Sequence, residues 1–66
     1  MSAAAIQLAE AQHRVTLVMG HLAAQFNLKQ PDLDQLYETA HKLREAIGLV
    51  RILSMQVEGE GRAHHV

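Results

Sequence analysis

The sequence predicts an all-α fold: an antiparallel two-helix hairpin of the coiled-coil type, completed by a partner chain or by self-association. Three observations lead there. Apolar residues recur at spacings of three and four along two segments of similar length, the pattern of helices with one buried face. The single proline, Pro31, interrupts that pattern once, near the middle of the 66 residues. The composition is rich in Ala, Leu, Gln and Glu, with Phe26 and Tyr37 the only aromatics, which favours helix.

The first helix is expected over about 3–26. Ser2 is its N-cap candidate. Leu8, Ala11, Val15, Val18, Leu22 and Phe26 form its apolar stripe. The turn, "NLKQP" at 27–31, follows. Asn27 tolerates the left-handed conformation that ends many helices, and the residue before Pro31 disfavours helix. The second helix is expected over about 32–57. Asp32 is its cap, with Gln35 three residues on in the capping-box position and Pro31 and Leu36 spaced for a hydrophobic staple. Asp34 places negative charge in the first turn, where the helix dipole favours it. Leu33, Leu36, Ala40, Leu43, Ile47, Val50, Ser54 and Val57 then repeat as a heptad seam. The polar, Gly-interrupted "EGEGRAHHV" at 58–66 reads as a flexible tail. Folding at the turn pairs Phe26 with Leu33, Val15 with Leu43, Ala11 with Ile47 and Leu8 with Val50.

Length and charge bound the function. A chain of 66 residues is one small domain, marginal in stability without a staple or a partner. It contains no Cys, so neither disulfides nor thiolate metal sites contribute, and a reducing compartment fits. Six Lys and Arg against seven Asp and Glu leave no basic footprint for nucleic acid or anionic membrane. The start "MSAAAIQLAEAQHR" lacks a secretory n-region, and the most apolar window is too short to span a bilayer. A cytoplasmic protein with a protein partner, and with no nucleic acid, membrane or small-molecule substrate, is the expectation.

The stretch "LREAIGLVRILSMQV" at 43–57 carries more apolar surface than a hairpin of its own can cover. From Ala46 to Val57, eight of twelve residues are apolar, and they face a first helix that begins "AAAIQLAEA". On the expected seam Leu49 and Leu53 fall on a flank and Ile52 on the back, while Leu17 and Ile6 point away on the first helix. Burying one such aliphatic is worth roughly 1.5–3 kcal/mol. These residues, Leu49, Leu53, Ile52, Leu17 and Ile6, are therefore expected to be covered by another chain.

The residue types that carry chemistry do not converge. His13 and His21 are eight apart, His41 lies mid-helix, and His64 and His65 are adjacent in the tail, whereas a zinc site needs three or four ligands in fixed geometry. Asp32 and Asp34 are explained by the helix start. Glu38–Lys42 and Glu10–Arg14 read as surface pairs four apart. No enzyme, cofactor or metal is expected. Gly20 and Gly48 stand in helix interiors, where each costs about 1 kcal/mol against Ala. They signal either close approach of another helix or a tolerated loss.

The segment "LYETAHKLREAIGLVRILSMQVEGE" resembles the second helix of the small E-type subunit of type III secretion systems, the co-chaperone family of the needle protein. The shared pattern is Leu-x-x-Ala-Ile-x-aliphatic-aliphatic, here Leu43, Ala46, Ile47, Leu49 and Val50, preceded by a turn matching "QPD" at 30–32. The resemblance implies a cytoplasmic hairpin that binds a tetratricopeptide-like G chaperone and helps hold the needle subunit monomeric before export, through apolar burial alone. The contacts it implies are Ile47, Leu49, Val50, Ile52 and Leu53, with Leu17. The alternative is a self-associating four-helix-bundle hairpin acting as a regulator or inhibitor of a host protein.

Overall fold

A computed structural model describes residues 2–63. Within them the chain is two α-helices, α1 (Ala3–Phe26) and α2 (Leu33–Ala63), packed along each other as an antiparallel hairpin. Ser2 starts α1 as expected: its backbone is extended and its Oγ accepts the Ala5 N–H at 3.1 Å. Asp32 starts α2 with Oδ1 accepting the N–H groups of Asp34 at 3.0 Å and Gln35 at 3.3 Å. These are orphan donors of the first turn, which water would otherwise have to satisfy.

Three local expectations are corrected. Asn27 ends α1 in the right-handed region, at φ −81° and ψ −3°, with its N–H bifurcated to Ala23 and Ala24 carbonyls. A tight last turn replaces the left-handed cap. Gln35 returns no side-chain bond to Asp32, so half of the capping box is made. The second helix does not end near Val57 but runs to Ala63, through Gly59 and Gly61. Neither glycine takes the positive φ that would stop it. Each added residue needs only one more backbone bond once a helix exists, and Arg62 in the last turn suits the dipole. Residues 64–66, the remainder of the expected tail with His64 and His65, lie outside the described residues.

The seam itself is turned from the expected one. The buried apolar residues are Ala4 and Ala11 on α1 and Leu36, Ala46 and Leu53 on α2, with Thr39 buried among them. On α2 the inward positions are therefore 36, 39, 43, 46, 50, 53 and 57, again spaced three and four. This solution buries Leu53 where the expected seam would bury Ser54. It also places small residues, Ala11 and Ala46, in the buried seam. Ala40 and Ile47 are left on the flank as exposed positions. The register moves with the rotation: Ala11 shares a groove with Leu49 and Leu53, and Val15 with Ile47 and Val50.

The resulting molecule is a rod, 56 × 16 × 12 Å. Its radius of gyration is 15.7 Å, against about 11 Å for a compact chain of this length. Among the described residues three of the five buried apolar ones are alanines, so the internal core is thin.

Candidate protein-interaction surface

Rotating the seam creates one long apolar strip on a side of the hairpin. At the turn end Leu22, Phe26, Leu33, Leu36, Tyr37 and Ala40 line a shallow trough of about 410 Å³. Farther along, Gln12, Val15, Ile47 and Val50 line its continuation. Met19 falls between them, four residues after Val15 and three before Leu22, hence on the same face. The exposure on this strip is high: 62% for Phe26, 69% for Leu33 and 80% for Tyr37. No Asp, Glu, Lys or Arg lines either trough.

The opposite side is different. Leu49 and Leu53 border a groove shared with Gln7, Glu10, Ala11 and Arg14. Ile47 and Leu49 are about 200° apart around α2, which puts the two grooves on opposite sides. Polar and charged groups make up half of this second lining. Glu10 and Arg14 form no ion pair there, contrary to expectation. Glu38 and Lys42 do pair, at 3.8 Å, and His41 Nε2 lies 3.0 Å from Glu45 Oε1, both pairs on the solvated surface.

The six residues expected to form the interface are thus dispersed. Ile47 and Val50 lie on the apolar strip. Leu49 lies across the hairpin from them. Leu17 is exposed beside His21 on α1, and Ile52 is exposed on the back of α2. Leu53, expected on a flank, is only 6% exposed and belongs to the core. The residues missed by the sequence reading are Phe26, Leu33, Tyr37 and Met19. The first two belong to the apolar stripe and seam that the sequence predicts. A comparison of Leu53 with Ser54 could have exposed the error, because a seam that buries Ser and exposes Leu is the less stable of the two.

Neither glycine marks a close approach within the chain: a Cβ at Gly20 or Gly48 would meet nothing within 4 Å. Among the described residues no three of His, Asp and Glu converge as a metal site. No described helix is long and apolar enough to cross a membrane. Gln25 Oε1 is buried without a hydrogen-bond partner, beside the turn. No family model, curated protein or solved structure matches the chain.

Proposed function

We propose that the chain is a non-enzymatic protein–protein interaction module whose apolar strip is covered by another polypeptide. One observation carries the reading: large side chains, Phe26, Leu33 and Tyr37, stand 60–80% exposed along an uncharged trough while the internal core is mostly alanine. Aromatic and aliphatic residues in this arrangement are what protein interfaces bury at their centres. Helix-in-groove and helix-on-helix docking both use such a strip, read at spacings of three and four.

The resemblance to secretion co-chaperones gives the module one specific form. A cytoplasmic G-type chaperone would cover the strip, and the pair would keep a needle subunit from polymerising. The strip supports this reading insofar as burial, not catalysis, is the only chemistry it offers. A second copy of the chain is the other occupant of suitable shape.

Photo-crosslinking in the native cell tests the module. A photoreactive residue at position 33, on the strip, is expected to give covalent adducts with protein. The same residue at position 38, on the solvated back, is expected to give none. Equal yields from the two positions, or no adduct from position 33, would sink the proposal. The mass of the adduct separates a chaperone from a second copy.

A further inference from the structure

Resting on the reading of the strip as a docking face, we infer that its occupant is an amphipathic helix of another protein, with a pair of carboxylates seven residues apart that meet Arg44 and Arg51.

The first support is how α2 sorts its charges. Tyr37, Arg44 and Arg51 are spaced by seven, so they form one row along the strip side of the helix. Asp34, Glu38 and Glu45 cluster about 100° away, on the solvated back. Lys42 and His41 are paired to Glu38 and Glu45. Among the described residues Arg44 and Arg51 have no ion pair, and the positions three and four away from each on α2 hold no acid. On α1, Glu10 and Arg14 face the opposite groove, and Leu8, Gln12, Val15, Met19, Leu22 and Phe26 bring no charge to the strip. The strip is thus apolar with two cations along one edge. The nearest acid in that row, Glu58, lies past the last apolar residue, Met55.

The second support is shape. Both helices wall the strip: Leu22 and Phe26 against Leu33 and Tyr37 at the turn, Val15 against Ile47 and Val50 farther along. Between residues 33 and 50 it is about 25 Å long, enough for a helix of about five turns. A third helix seated there buries its own apolar stripe between α1 and α2. Its flank on the α2 side runs past Arg44 and Arg51, about 10.5 Å apart along the axis, and residues seven apart on the incoming helix match that spacing. Guanidinium groups at the edge of an apolar seam hold carboxylates bidentately.

A second copy of the chain lacks this complement. Its own strip offers no Asp or Glu before Glu58, and seating α2 antiparallel on α2 about the level of Ile47 sets Arg44 against Arg51. Like charges across an interface repel.

The test uses the full chain and two labelled helical peptides of about 18 residues, long enough to fill the strip. One is an amphipathic Leu/Ala helix with two Glu seven apart beside its apolar stripe; the other carries Lys at those positions. By fluorescence anisotropy at low salt the Glu peptide is expected to bind about tenfold tighter, and the preference should shrink as salt is added. In the Arg44→Glu, Arg51→Glu double variant the preference should reverse, with circular dichroism showing the helices intact. A preference for Glu that survives this reversal overturns the proposal. Equal binding of the two peptides, lost in Leu33→Asp, overturns the acidic partner and leaves the docking strip standing. Binding of neither peptide also overturns the proposal. Light scattering at twice 7.3 kDa then assigns the strip to a second copy, and co-sedimentation with phosphatidylglycerol vesicles assigns it to a membrane surface. A monomer that binds neither peptide, nor vesicles, nor an apolar dye removes the docking strip as well.

Discussion

The turn half and the open half of the hairpin use the same two helices to opposite ends. In the open half, α1 offers Ala4 and Ala11, and α2 closes on them with Ala46 and Leu53; all four are buried. In the turn half the residues are larger, yet only Leu36 and Thr39 are buried there. Phe26, Leu33 and Tyr37 remain outside. Small side chains let helices approach and exclude water from a narrow seam. Large ones around a short turn cannot all point at a single neighbouring helix, so the surplus turns to one side. This hairpin is therefore closed where its residues are small and leaves apolar surface exposed where they are large.

Leu53 gives the sharpest way to break that comparison. Leu53→Asp would place a charge in the closed seam, where Glu10 offsets Arg14, the cation that lines the same groove. An uncompensated buried charge costs about 3–5 kcal/mol, a large share of what so small a chain can hold. Most of the helical dichroism should disappear at room temperature. Leu49→Asp, one turn earlier on the same helix and 46% exposed, should leave it nearly unchanged. If both variants stay equally helical, Leu53 is not a core residue, and the open half is not closed.

The same pair of residues shows what could be read from sequence. The two helices, the turn, and the caps at Ser2 and Asp32 follow from local chemistry: spacing, one proline, and side chains that accept backbone N–H groups. The face of α2 that turns inward does not. Two heptad seams share Leu36, Leu43, Val50 and Val57 and differ by one residue at the positions between them. Choosing between them depends on packing across to α1, where Ala4 and Ala11 are the buried apolar residues. The differences in where Leu53, Ile47 and the exposed strip fall follow from that rotation. Leu53 moved inward, Ile47 moved out, and the strip at Phe26, Leu33 and Tyr37 emerged where a seam had been expected. The end of α2 was misread for another reason. Glycine lowers helix propensity but does not stop a helix unless it takes a left-handed conformation.

The caps compare the two halves at a smaller scale. Asp32 accepts two N–H groups at the turn, where the chain must reverse; Ser2 accepts one at the open end. Losing a cap of this kind costs about 1 kcal/mol, which moves the melting temperature of a domain this size by roughly 4–8 °C. Asp32→Ala should show the full shift in thermal dichroism at fixed protein concentration. Ser2→Ala should show less, because helix ends near chain termini already fray. A larger loss from Ser2→Ala would mean that the open end, not the turn, limits unfolding.

The two mid-helix glycines test whether anything docks beside the strip. Gly20 lies in the turn half and Gly48 in the open half, and a Cβ at either meets open space. Gly20 lies about 100° around α1 from Met19, and Gly48 lies at the edge of the strip, about 20° around α2 from Tyr37. If the strip alone is covered in the assembled protein, Gly20→Ala and Gly48→Ala should each raise stability by about 0.5–1 kcal/mol, by restricting the unfolded backbone. Association should be unchanged in both. A partner helix crossing close over Gly48 would reverse the sign there: the added methyl group would weaken binding while still raising the melting temperature of the free chain. Equal gains at the two sites would keep the occupant clear of both, and opposite effects would extend its contact over the Gly48 edge of α2.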